Sequence, residues 1–245
     1  MIFAEGLPEL PHPISIKRHT EAVQHSSENP NWRTPSDLFR ALSREFHFTL
    51  DAAANKVAAL CTEYLGPGLP SEEHRNALTV DWYQMLDYQK HGRAVKDCAI
   101  FLNNPYSRTI SAAYRSGKIK RNGDWEPHPK NLALADAYTM DAWMQKCWHE
   151  SQAGCTIVGV VPYSPQTSWW RRYIEGNEDQ SLPLSEFHAA SEVRRIPHRV
   201  SFLREDGTEA DNAGGNTTIV VWRPKHGKIA PWVPWSYYWD YREAK

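Results

Sequence analysis

Hydrophobic positions change their period several times along this chain, and each change marks an element. Leu38, Phe39, Leu42 and Phe46 recur three and four residues apart, which predicts an amphipathic helix over SDLFRALSREF. Thr34 or Ser36 can cap that helix, and Pro35 suits its first turn. Phe46, Phe48 and Leu50 then alternate as in a strand, and the alternation stops at Asp51. GPGLP (66–70) breaks the pattern, and a polar stretch follows with Ala77, Leu78 and Val80 ahead of Asp81-Trp82. DCAIFL (97–102) reads as a short buried strand that runs straight into Asn103-Asn104-Pro105-Tyr106-Ser107. A second helix is predicted over about 131–152, where Leu132, Leu134, Ala135, Tyr138, Trp143, Met144 and Cys147 share a face. CTIVGVVP (155–162) is apolar throughout, as in a strand covered on both sides. RVSFL (199–203) and TTIVVWRP (217–224) add two strands, expected to form a hairpin across the Gly-rich EDGTEADNAGG.

Strand, helix and strand alternate before that hairpin, which predicts an α/β sheet with helices on both faces. Such sheets bind ligands beyond the carboxyl ends of their strands. Asp51, Asp81 and Asn103 each stand where a predicted strand ends, so the three are expected to converge on one rim.

Composition narrows the candidate chemistry. With 41% hydrophobic and 23% charged residues the chain has the balance of a globular domain. A formal net charge of −1 gives no global attraction to nucleic acid, so any such contact needs local basic patches. One patch is evident between about 108 and 130, where Arg108, Arg115, Lys118, Lys120, Arg121 and Lys130 are interleaved with Tyr114 and Trp125. The four Cys show no CxxC spacing and the eleven His no ligand spacing, so no metal site is expected. No apolar run reaches the ~18 residues of a membrane span. The amino terminus lacks the pattern of a signal peptide. A cytoplasmic setting is therefore expected. The 11 Trp and 11 Tyr exceed core needs, and several crowd into the tail IAPWVPWSYYWDYREAK.

Six stretches acquire a joint meaning from their order: SSENPNWRTPSDLF (26–39), FTLDAAAN (48–55), LTVDW (78–82), FLNNPYS (101–107), VGVVPYSPQTSWW (158–170), and HRVSF with TTIVVWRP (198–224). Together they resemble the phage and prophage DNA N-6-adenine methyltransferase (Dam-like) family. The resemblance implies a Rossmann-like S-adenosylmethionine-dependent fold, with a mostly parallel sheet closed by a C-terminal β-hairpin. It divides the chain into an extended arm (1–30), a methyltransferase domain (31–228) with an inserted basic loop at about 108–130, and an aromatic tail (229–245). It also implies methyl transfer from S-adenosylmethionine to a flipped adenine in double-stranded DNA, protecting phage DNA from restriction. The alternative is a catalytically silent protein of the same fold that binds DNA or a host protein; a homodimer is equally open.

By the same resemblance, Asn103, Asn104, Pro105 and Tyr106 are catalytic. The Asn103 side chain and the Asn104 carbonyl would accept the hydrogens of the 6-amino group, and Tyr106 would stack on the base. Trp32, Thr34, Pro35, Asp51, Ala53 and Asp81 would border the cofactor. Ser107, Arg108, Arg115, Lys118, Lys120, Arg121 and Trp169 are the candidate DNA contacts. The chain departs from the family in two places. Asn104 replaces the first Pro of N-P-P-Y, and Ala52-Ala53-Ala54 stands where a glycine-rich turn is usual.

Overall fold

A computed structural model describes residues 32–66, 69–70, 74, 76–86, 97–104, 118–119, 125–126, 140–176, 189–204, 206–210, 216–224 and 235–243. The strands among them are β1 (Phe48–Asp51), β2 (Glu63–Tyr64), β3 (Ala99–Leu102), β4 (Lys118–Ile119), β5 (Trp125–Glu126), β6 (Thr156–Pro162), β7 (Glu192–Arg195), β8 (Thr217–Trp222) and β9 (Trp235–Tyr238). Seven of them form one sheet in the order β2-β1-β3-β6-β8-β7-β9. All neighbours pair in parallel except β8, which is antiparallel to both β6 and β7. This is the expected α/β architecture with a mostly parallel sheet.

The continuous apolar runs are explained by a core on each face. Phe101, Val158, Val160, Ile219 and Val221 point to one side, where helix α1 (Ser36–Ser43) buries Leu38, Ala41 and Leu42. Ile100, Leu102, Ile157, Val161, Val220 and Trp222 point to the other. There helix α3 (Met140–Ala153) covers them with Trp143, Met144 and Cys147. Each fully buried aliphatic side chain of this kind contributes about 1.5–3 kcal/mol. Gly159 breaks the run of large residues on β6 because the Trp222 ring needs the space: a Cβ there would lie 3.2 Å from it. A shorter helix, α2 (Trp82–Met85), lies between these in sequence. After β6 the chain turns through α4 (Ser168–Trp170) into a π-helical turn at Arg171–Glu175.

The C-terminal hairpin exists, but its first strand is not RVSFL. Glu192–Arg195 pairs antiparallel with Thr218–Val221. RVSFL buries Val200 and Phe202, yet among the described residues its backbone forms only isolated bridges, from Leu203 to Arg33 and Glu209. The sequence EVRR looks too polar for an inner strand because its charges are neutralised by residues remote in the chain. Arg194 donates two hydrogen bonds of 2.6 Å to the Glu45 carboxylate, and its Nε and Nη2 reach Glu192 at 3.1 and 2.9 Å. Arg223 donates to Glu192 at 2.9 and 2.6 Å. The Phe46, Tyr237 and Trp239 rings surround the Arg194 guanidinium at 5.2, 5.8 and 5.5 Å. Two rings of the tail are thereby fastened to the sheet, and Trp235–Tyr238 adds itself to β7 as an edge strand. Burial alone would raise the Glu192 carboxyl, but the hydrogen bonds from Arg223 and Arg194 outweigh it and hold its pKa below the usual 4.5. Because the folded pKa is depressed, this stabilisation is lost as pH falls below that value.

The Arg194 side chain is only 3% exposed, so truncating it empties the centre of the cluster, removes the bidentate partner of Glu45 and leaves Glu192 with Arg223 as its remaining cation. Arg194→Ala should destabilise the fold by ~3–5 kcal/mol, as read from urea unfolding at neutral pH. A loss below ~1 kcal/mol would show that the cluster does not hold the tail.

Candidate active site

Parallel pairing places the carboxyl ends of β1, β3 and β6 along one rim of the sheet. Asp51 ends β1 opposite Phe101, and Asn103 follows two residues beyond that pair. The Asn103 amide is gripped from the far side of the sequence. Its Nδ2 donates to the Trp32 carbonyl at 3.1 Å and to the Thr34 hydroxyl at 3.0 Å. Thr34 is buried, and the segment holding it is pinned by reciprocal backbone hydrogen bonds of 2.9 Å between Arg33 and Leu203. With both amide hydrogens directed at one segment, the orientation of the side chain is set and Oδ1 is its accepting end. Thr34, read from sequence as a cofactor residue, thus directly positions Asn103.

Strand alternation sends the next side chain the other way. Asn104 is 1% exposed, and its Nδ2 meets the Met140 sulfur at 3.1 Å at the start of α3. The doubled Asn therefore splits into one amide on each face. Pro105, Tyr106 and Ser107 lie outside the described residues, as do Arg108, Arg115, Lys120 and Arg121. Of the basic segment, the backbone of Lys118–Ile119 is described, paired antiparallel with Trp125–Glu126. The expected loop thus contains a β-ribbon.

Asp51 faces its own loop. One carboxylate oxygen accepts from Leu60 N at 3.1 Å and the other from Ala53 N at 3.4 Å. Burial pushes its pKa from 3.8 up to about 6, although those two N–H groups pull the other way. No Lys or Arg pairs with it among the described residues. The loop needs no glycine of its own, since no non-glycine residue among those described has a positive φ. The close approach is made from the facing side. Gly66 has φ 149°, and a Cβ there would come within 2.0 Å of the Ala54 carbonyl oxygen. The Ala54 N–H donates to the Leu65 carbonyl at 3.0 Å, which closes this contact.

Two sequence expectations require correction. Asp81 does not join the rim. It caps α2, accepting from Gln84 N at 3.1 Å, and the next residue but one, Tyr83, donates its N–H to Glu150 at 3.2 Å. Glu150 lies ten residues along α3 from Met140, the partner of Asn104, or about 15 Å down the axis at 1.5 Å per residue. The LTVDW segment places Asp81 at a cap rather than a strand end, which is why the rim lost it. Trp169 is likewise not a surface platform. It is 8% exposed and packs edge-on against Trp170 with ring centroids 5.7 Å apart.

The described residues contain no cluster of metal-ligating side chains and no helix long and apolar enough to cross a membrane. A family model described as DNA N-6-adenine-methyltransferase (Dam) matches residues 21–233. Neither a curated protein nor a solved structure matches the chain. The buried Asp51 carboxyl makes a prediction that needs no ligand. Its folded pKa of about 6 lies above the unfolded value, so the folded state holds the proton more tightly. The contribution of Asp51 to stability is then greatest below pH 4 and falls as pH rises from about 4 to 6, by ~3 kcal/mol at 1.36 kcal/mol per pK unit. Asp51→Asn should remove that decline and be more stable than the wild type at pH 7 by on the order of 1–3 kcal/mol. Urea midpoints at pH 4.5 and 7 for the two proteins check this; parallel profiles would refute it.

Proposed function

Because the chain belongs to the DNA N-6-adenine-methyltransferase (Dam) family, we propose that it transfers a methyl group from S-adenosylmethionine to N6 of an adenine turned out of double-stranded DNA. The observation that carries this reading is the Asn103 amide, locked at the carboxyl end of β3 by Trp32 and Thr34. The 6-amino nitrogen of adenine is a poor nucleophile, since its lone pair is delocalised into the ring. Two acceptors aimed at its hydrogens would turn the nitrogen towards tetrahedral geometry and free that lone pair. Asn103 Oδ1 is one acceptor and the Asn104 carbonyl the other, with Pro105 and Tyr106 completing the turn and Tyr106 covering the base. Holding the partners in line can lower the barrier by ~7–11 kcal/mol. Turning the base out costs a few kcal/mol, and an aromatic platform returns ~1–3 kcal/mol.

S-adenosylmethionine, when bound, supplies an electrophilic methyl group on a sulfonium. A cationic ligand suits this rim, because Asp51 is a buried carboxyl with no cation against it among the described residues. Trp32, Thr34, Pro35, Asp51 and Ala53 form the proposed border of that site. Asp81, the cap of α2, is not part of it. The double-stranded DNA partner, the Rossmann-like description of the sheet and a role in shielding phage DNA from restriction follow from the same reading. A host-protein partner and a homodimer stay outside it.

The test uses labelled S-adenosylmethionine, unmethylated DNA and nucleoside analysis, with N6-methyladenine as the expected product. Asn103→Ala should lower transfer ~10²-fold or more, in line with loss of a preorganised hydrogen-bonding group. Thr34→Val should lower it by a smaller factor, and Thr34→Ser should restore it, since only the hydroxyl orients Asn103. DNA or cofactor binding without any transfer would favour the catalytically silent alternative.

Asn104 supplies a second prediction. Proline in the family's motif restricts its own φ to near −65°. Here burial and the Met140 contact hold the residue instead, and Pro105 restricts it from the following position. Asn104→Pro should therefore bring no gain in transfer rate. A large gain would mean that the natural turn is poorly set.

A further inference from the structure

Two adjacent arginines end β7, and their surroundings differ. Arg194 is neutralised by Glu45 and Glu192, as is Arg223. Arg195 points to the opposite face, where two rings bracket it: its guanidinium carbon is 5.8 Å from the Tyr163 ring centre and 5.9 Å from that of Tyr238. Its Nε is buried and has no hydrogen-bond partner among the described residues. No carboxylate pairs with it there either. A guanidinium part-desolvated between aromatic faces, with donors left over, is arranged to receive an anion.

Its place on the sheet indicates which anion. β7 runs parallel to β6 and β9, so Tyr163 after β6, Arg195 at the end of β7 and Tyr238 at the end of β9 share the rim that carries Asn103. The support is firm on one side and open on the other. Tyr163 is fixed by a 2.7 Å hydrogen bond from its N–H to the Asn216 carbonyl and by edge-on contact with Trp170 at 5.2 Å, whereas Tyr238 is 72% exposed. From β3 to β7 is three strand spacings, or about 14 Å. Duplex DNA carries one phosphate per 3.4 Å of each strand, so that span covers about four base-pair steps.

The geometry points to Arg195 as a DNA-phosphate ligand, held flat between Tyr163 and Tyr238 within about four base pairs of the target adenine. This rests on the proposed function for the position of the adenine but not for the binding itself. Arginine suits the task because its planar fork can donate two parallel hydrogen bonds to one phosphate. A chain with net charge −1 must draw its affinity for DNA from such uncompensated local cations.

The experiment measures binding of the full chain to a short duplex of arbitrary sequence between 50 and 200 mM salt, for wild type, Arg195→Ala and Arg195→Gln. Both variants should bind about tenfold more weakly at the lowest salt, and the slope of log K against log[salt] should be shallower by about 0.9, the value for one phosphate contact. Arg195→Lys should restore the slope without restoring the full affinity. Binding of S-adenosylmethionine, followed separately by thermal shift, should be the same in all four proteins. The glutamine variant keeps part of the stem and a polar end between the two rings, so a fold lost in Arg195→Ala alone leaves the comparison intact. Affinity and slope equal to wild type in a folded Arg195→Gln would overturn the inference, even with methylation intact. Loss of cofactor binding instead of DNA binding would also overturn it, by making Arg195 a carboxylate ligand. A protein that binds DNA through Arg195 and transfers no methyl group would leave the inference standing while the methyltransferase reading fails.

Discussion

The site depends on one constraint: β3 is buried on both faces, so side chains that follow it must leave the sheet on alternate sides. Ala99 and Phe101 pack towards α1, and Ile100 and Leu102 towards α3. Continued past the strand, the same alternation sends Asn103 to the Trp32–Thr34 segment and Asn104 to Met140. Neither amide could be exchanged for an apolar residue without leaving Thr34 or Met140 facing a different neighbour. The polar pair thus continues the packing logic of the strand beyond its last ladder position, and the catalytic proposal is a use made of that geometry.

Charge compensation divides the rest of the molecule in a similar way. Glu45, Glu192, Arg194 and Arg223 form one group, ringed by Phe46, Tyr237 and Trp239, in which every charge has a partner of opposite sign. That group fastens the edge strand β9 and with it the tail, which accounts for part of the unusual aromatic content. Asp51 and Arg195 are the opposite case. Each lies on the rim with its charge uncompensated among the described residues, one negative beside the proposed cofactor border and one positive four strands further along. An uncompensated buried or half-buried charge is costly to keep. Its presence at a rim rather than in the core argues for a bound partner of opposite sign.

Much of this was legible in the sequence wherever local pattern and fold agree. SDLFRALS, AIFL, TIVGVVP and TTIVVW form elements where periodicity put them, the first helix ending at Ser43 rather than running on to Phe46. Misreadings occurred where the deciding partner is distant. EVRR forms a strand although three of its four residues are charged, because Glu45, which pairs with Arg194, lies 149 residues away and leaves no mark on the local pattern. VSFL alternates like a strand, but the position beside β8 was already taken by β7. The ribbon within the basic segment has a local sequence signal, an Asn122-Gly123 pair of the kind that favours two-stranded turns, lying between β4 and β5.

The sequence by itself determined the periodicities, and hence an α/β sheet with two apolar faces, and it placed Asn103 and Asp51 at strand ends. It also carried the family, because the order of short motifs survives whatever their local structure. Only the tertiary structure decided which residues serve those ends. It turned Thr34 into the anchor of Asn103, moved Asp81 to the far end of α3 and set Gly66, not a glycine after β1, against the Ala54 carbonyl. It also separated Arg194 from Arg195, which are equivalent as letters. The physical reason is common to all four. A hydrogen bond, a close contact or a neutralised charge is a property of a pair, and in each pair the second member lies far away along the chain or on the other face of the sheet.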